Sequence, residues 1–193
     1  MTKALIVYGT RYGATASTSE EIAEILRKDG FDVRVVNAKE EKVRDIGEYE
    51  LVIVGSGMQI DRWTGEAEDF LKKFQKELAK KKVALFVSSG AQALIEHEGK
   101  PEKIRRGKKK YLEEKAAKYN LQPVALGLFG GVYDFNRWPW WAGKAKPMAK
   151  QQLDEAGFKE AKPGVYDTRD CSVIRSWAKE LAQKVRCSKN FQK

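Results

Sequence analysis

The sequence predicts an α/β protein: a three-layer, doubly wound sandwich on a five-stranded parallel sheet, with an insertion before the last helix. Three observations carry that expectation. Short apolar runs alternate with longer segments of 3.6-residue period, so strands and helices take turns along the chain. The runs are rich in Val, Leu and Ile and mostly apolar, as strands buried on both faces should be. Repeated strand–helix alternation calls for parallel strands joined by right-handed crossovers, which leaves few topologies. The 193 residues, 42% of them hydrophobic, suffice for one domain with a real core. That domain is expected over residues 1–187, with 188–193 as a frayed tail.

The elements follow in order. Lys3–Tyr8 (KALIVY) reads as the first strand, and with this N-terminus no signal peptide is expected. Ile22, Ile25 and Leu26 mark a first helix that stops at Asp29-Gly30. Asp32–Asn37 and Leu51–Val54 are the next two strands. Ala67, Phe70, Leu71, Phe74 and Leu78 keep helical spacing, and Val83–Ser88 is the fourth strand. Glu96–Lys110 reads as a charged connection, and a very basic helix is expected over Lys103–Tyr119. Pro123–Leu128 is the fifth strand. The aromatic-rich insertion Asp134–Tyr166 follows, where Pro147 is expected to interrupt any helix. Ile174, Trp177, Ala178, Leu181 and Val185 define the last helix.

Composition narrows the function classes. There are 37 Lys and Arg against 27 Asp and Glu, a net charge of +10, which favours acidic partners. Cys171 and Cys187 sit sixteen residues apart on one helical pattern, roughly 24 Å at about 1.5 Å per residue, far beyond disulfide reach. Free thiols suit a reducing cytoplasm. The single histidine, His97, builds neither a zinc site with so few cysteines nor a convincing triad. No apolar stretch has the roughly 18–20 residues of a membrane span. The basic run Arg105–Lys110 reads as a solvated helix face, and nucleic acid is not expected as a partner.

In a sheet of this kind ligands bind beyond the carboxyl ends of the strands, so the loops there come first. Gly9-Thr10-Arg11-Tyr12-Gly13-Ala14-Thr15 leads from the first strand straight into a helix. Small residues, two hydroxyls and a helix N-terminus make it a phosphate cradle; the plainer alternative is a tight turn with Thr15 as N-cap. After the third strand comes Gly55-Ser56-Gly57-Met58-Gln59-Ile60-Asp61-Arg62-Trp63, and after the fourth Ser88-Ser89-Gly90-Ala91-Gln92. Phe129-Gly130-Gly131-Val132-Tyr133-Asp134 follows the fifth, either for close approach to a flat ligand or as a glycine-rich bend. Asp167 or Asp170 is expected to cap the last helix.

The first loop resembles the phosphate loop of flavodoxins, Gly-Ser/Thr-x-Thr-Gly-x-Thr, at Gly9, Thr10, Gly13 and Thr15. Tyr12 replaces the usual Thr, and Arg11 brings a charge that the family normally omits. The resemblance spans nearly the whole chain and implies bound FMN. It assigns Thr10, Arg11, Tyr12, Gly13, Ala14 and Thr15 to the phosphate. To the ring it assigns Ser56, Gly57, Met58, Gln59, Ser88, Ser89, Gly90, Gly130, Gly131 and Tyr133. Trp63 is either a ring-covering aromatic or a staple beside the following helix. The segment Asp167-Thr168-Arg169-Asp170 before the last helix is similar to a branch that includes quinone-linked protoporphyrinogen oxidases.

Two functions follow from that resemblance. One is an FMN electron carrier between soluble, acidic redox proteins; the alternative is a quinone-dependent protoporphyrinogen oxidase at a membrane surface. Neither needs a dedicated acid, base or nucleophile, because the cofactor carries the chemistry. The insertion after Trp138, Trp140 and Trp141 (AGKAKPMAKQQ) is too polar to bury an apolar face in lipid, so these aromatics are expected to cover the ring or shape a docking surface; the carrier is favoured and the membrane surface is the lesser partner.

Overall fold

Five strands, β1 (Thr2–Gly9), β2 (Phe31–Asn37), β3 (Leu51–Gly57), β4 (Lys82–Ser88) and β5 (Ala125–Phe129), form one parallel sheet of order β2-β1-β3-β4-β5. The computed structural model describes residues 1–58 and 61–190. Alternation of side chains explains why the strands read as unbroken apolar runs. On β1, Leu5 and Val7 join one core with Val52, Val54, Leu85 and Val87; Ala4 and Ile6 join the other with Ile53 and Phe86. Helices α1 (Ala14–Lys28) and α8 (Cys171–Asn190) cover the second core through Ile22, Leu26, Ile174 and Leu181. Helices α2 (Gly65–Lys73), α3 (Gln75–Leu78) and α6 (Glu114–Lys118) cover the first. Each fully buried Leu or Ile among them is worth roughly 1.5–3 kcal/mol.

Several boundaries differ from the sequence reading, for identifiable reasons. β3 runs on through Gly55–Gly57, which pair in register with Phe86–Ser88, so Ser56 and Gly57 belong to the strand. β5 starts two residues later than expected, since Pro123 has no N–H for the ladder, and Val124 makes the first bond, to the Val83 carbonyl. The helix expected over Ala67–Leu78 divides at Phe74, which leaves helical geometry (φ −104°, ψ 17°) with its ring 4.9 Å from Phe70. The charged connection after β4 is largely helical: α4 (Gly90–His97), then α5 (Pro101–Lys108), a π-helical turn over Lys109–Glu113, and α6.

The insertion folds on itself. β6 (Val132–Asp134), β8 (Val165–Asp167) and β7 (Glu160–Lys162) make a small antiparallel sheet, crossed by α7 (Lys146–Glu155). Phe135, Leu153 and Tyr166 form its own core. Pro147 does not interrupt a helix here. It lies in the first turn of α7, where the missing N–H has no partner to lose. α8 begins at an Asp170 cap whose carboxylate accepts from the Ser172 N–H at 2.8 Å. The helix then continues over the first residues expected to fray; residues 191–193 of that tail lie outside the described residues. Cys171 and Cys187 are free and exposed on that helix.

Candidate functional site

A cavity of about 670 Å³ opens at the carboxyl ends of the strands, beside the point where the sheet order reverses between β1 and β3. Its size lies in the roughly 300–1,000 Å³ range of small-molecule sites. The first wall is the loop after β1. Gly13 takes a left-handed conformation (φ 89°) that turns the chain into α1, and its N–H is held by the Thr10 hydroxyl at 3.0 Å. Thr10, Arg11, Tyr12, Ala14 and Thr15 face the cavity, while Gly13 serves the turn. Thr15 is not the N-cap, because the helix starts one residue earlier. Among the described residues its buried hydroxyl has no hydrogen-bond partner. A Cβ at Gly57 would stand 3.1 Å from that hydroxyl, so the glycine keeps the loop and β3 close together.

The strand ends supply the next walls. Gly57 and Met58 line the cavity, and the Met58 N–H donates to the Ser88 carbonyl at 3.0 Å. Gln59 lies outside the described residues. Ser88, Ser89 and Gly90 line the cavity too, and the buried Ser88 hydroxyl is again unpartnered. Gly131 and Tyr133 complete this side. The Tyr133 ring lies so near Gly90 that a Cβ there would come within 2.7 Å of it, and it stacks on Phe135 at 5.9 Å. Burial pushes the Tyr133 phenol up to about 12, so it presents a neutral O–H at ordinary pH.

Three candidates from the sequence turn away. Ser56 is fully buried, and its hydroxyl is spent on the Gly57 carbonyl and on the Thr64 N–H at 2.9 Å. Gly130 faces the returning end of the insertion, where a Cβ would come within 2.1 Å of the Thr168 carbonyl. Trp63 is not among the residues that line the cavity. It is buried, and its indole N–H donates to the Tyr111 carbonyl at 2.9 Å, a group of the π turn. The staple expected beside the following helix is therefore seen as a bond to the basic segment.

Two further walls complete the cavity, and the sequence reading missed the first. Lys103, Arg106, Gly107 and Lys110 line the cavity from α5 and the π turn, at the three- and four-residue intervals that place side chains on one helix face. That spacing was the available signal, hidden within a run of cations. Asp61, at φ 58°, joins this wall: it is bonded to the Tyr111 hydroxyl and to Lys110, which holds its carboxyl below the usual range. Trp138, Trp141 and Ala142 of the insertion close the last side. Arg137 stacks over Tyr12 at 5.3 Å, latching the insertion to the first loop. Among the described residues no group of His, Cys, Asp or Glu could hold a metal. No described helix is long and apolar enough to cross a membrane.

A family model for the flavodoxin domain matches residues 5–149. The chain belongs to the flavodoxin family. A curated flavodoxin from Maridesulfovibrio salexigens is 31% identical over 91 residues, covering 45% of this chain and 62% of that relative's length. Solved flavodoxins share the fold at low identity. One from the domain Archaea has TM-score 0.53 at 19% identity, covering 96% of this chain and 99% of its own. That of Fusobacterium nucleatum, solved with flavin mononucleotide, has 0.52 at 16%, covering 97% and 99%. The family match ends inside α7, so the last part of the insertion and α8 extend beyond it.

Proposed function

We propose that this chain binds one FMN in the cavity and carries electrons between soluble redox proteins in a reducing cytoplasm. The observation that carries the reading is the pair of buried, unpartnered hydroxyls on the cavity wall, Thr15 at the N-terminus of α1 and Ser88 at the end of β4. An unsatisfied buried hydroxyl costs about 1–3 kcal/mol, which a ligand with complementary groups recovers. The flavodoxin bound to FMN in Fusobacterium nucleatum supports the choice of ligand. Thr10, Thr15 and the first amides of α1 would hold the phosphate, with Arg11 adding a charge from the exposed side. Met58, Ser88–Gly90, Gly131 and Tyr133 would flank the ring and exclude water from it. The bound flavin supplies the electron chemistry.

Loss of the two threonine hydroxyls tests the cradle. Each such bond is worth roughly 0.5–1.5 kcal/mol, so Thr10→Ala with Thr15→Ala should weaken FMN about five- to hundredfold. Riboflavin, which has no phosphate, should bind wild type and double variant alike. An FMN titration of the double variant within threefold of wild type removes the assignment.

The partner reading rests on charge. Arg105, Lys108 and Lys109 lie on the basic helix and π turn outside the cavity wall and are exposed, a surface suited to an acidic protein. Electron transfer with the acidic partner should slow several-fold between about 50 and 500 mM salt as screening sets in. Lys108→Glu with Lys109→Glu should lower the association rate and leave FMN content unchanged. Lys110, part of the same run in the sequence, is instead held by Asp61 on the cavity wall at 2.6 Å. Protoporphyrinogen with a quinone acceptor should give no turnover; fast quinone-dependent oxidation would put the oxidase in the carrier's place.

A further inference from the structure

The phosphate loop and the ends of β3, β4 and β5 account for the proposed FMN, and two cavity walls remain without a task. One is the inner face of α5 and the π turn. Lys103 on it is paired with Glu98 at 2.6 Å, and Lys110 with Asp61 at 2.6 Å. Arg106, between them, has no hydrogen bond or ion pair among the described residues. The other wall is the insertion, where Trp138 and Trp141 meet the cavity and Trp141 is 61% exposed. A large indole left in water beside an apolar cavity is surface that a flat ligand would cover.

We propose that these two walls form a second compartment of the cavity that takes a fused-ring organic acid, bound beside the flavin. The planar guanidinium of Arg106 offers two parallel donors to a carboxylate, and the indoles offer faces to the rings. Among the described residues Arg106 is the cation of this wall without an ion pair, and its planar fork suits a carboxylate. The wall is held in place from behind. The π turn exposes the Tyr111 carbonyl that Trp63 engages, and Asp61 ties the turn to the loop after β3. Arg105, Lys108 and Lys109 lie outside this wall, so the small-molecule site and the protein-docking surface use different residues of one helical segment. The inference depends on the FMN reading only for the neighbour it names.

The test is a calorimetric titration of the FMN-loaded protein with 2-naphthoate, followed in parallel through the visible flavin band. Binding is expected, with a shift of that band. Arg106→Gln should weaken it about tenfold or more, and so should replacing the probe with the uncharged 2-naphthalenemethanol. Lys108→Gln, outside the wall, should leave it unchanged. Trp141→Ala should weaken both probes together. Equal affinity in Arg106→Gln, equal affinity for the alcohol, or binding that leaves the flavin band unmoved would each overturn the proposal. The same titration on flavin-free protein separates this inference from the FMN reading. Arg106-dependent binding there sustains the acid site even if FMN fails to bind, and Arg106-independent binding rejects it even if FMN binds.

Discussion

Gly131→Ala should weaken FMN binding at least tenfold. A Cβ at this position would stand 2.7 Å from the Gly90 nitrogen and 3.0 Å from the Ser89 carbonyl carbon, and both are backbone. Neither side can yield cheaply. The Gly131 carbonyl accepts from the Thr168 N–H at 2.9 Å and from its hydroxyl at 3.0 Å, so the glycine is pinned against the insertion. Overpacking of this sort costs roughly 1–3 kcal/mol, and here the strain must spread the two loops that flank the proposed ring. A flavin-fluorescence titration, with circular dichroism to verify the fold, gives the answer. Affinity within threefold of wild type would mean that no ring approaches Gly131.

A still larger loss of stability is expected at the centre of the sheet. Phe86 on β4 is fully buried, with Gly55 and Gly127 as its neighbours across the ladder. Its ring fills the space that a side chain at Gly55 would need, and it packs against Trp177 at 6.4 Å and against Phe129 at 5.9 Å, whose own ring fills the space at Gly127. Phe86→Ala therefore opens a hole between Gly55 and the Phe129 and Trp177 rings, and the glycine has no side chain to fill it. The expected cost is about 3–5 kcal/mol, a large part of a typical total of roughly 5–15. Urea denaturation should show the midpoint falling steeply. A loss under about 1 kcal/mol would mean that the neighbouring rings close over the gap.

What could be read in the sequence tracks how much chain each feature occupies. The central strands β1, β3 and β4 are largely apolar runs because both faces are buried, and the first loop is recognisable because glycines and hydroxyls sit between such a run and a helix. The insertion's strands are three residues each, too short to show any alternation, so its sheet was not visible. α4 has eight residues and buries mainly Gln92 and Ala93, which gives no apolar stripe. Trp63 and Tyr133 were both plausible ring-side aromatics. What separates them is a long-range bond, from the indole to the Tyr111 carbonyl 48 residues away. The basic run looked uniform because charge alone does not reveal that Arg106 and Lys110 face inward while Lys108 and Lys109 do not.

The backbone of Gly131 is bonded to both the N–H and the hydroxyl of Thr168 across 37 residues of sequence. The chain thus leaves the main sheet and comes back beside one bonded pair. Everything between, the small sheet, α7 and the tryptophan rim, is an appendix whose length and contents can change without moving the strands or α8. Loop closure across a fixed gap costs only about 0.6 kcal/mol more for each doubling of length, so an enlarged or shortened appendix is nearly neutral for folding. Its side chains nonetheless stand at the cavity mouth. A lineage could therefore exchange what meets the cofactor while inheriting the phosphate loop and the sheet untouched.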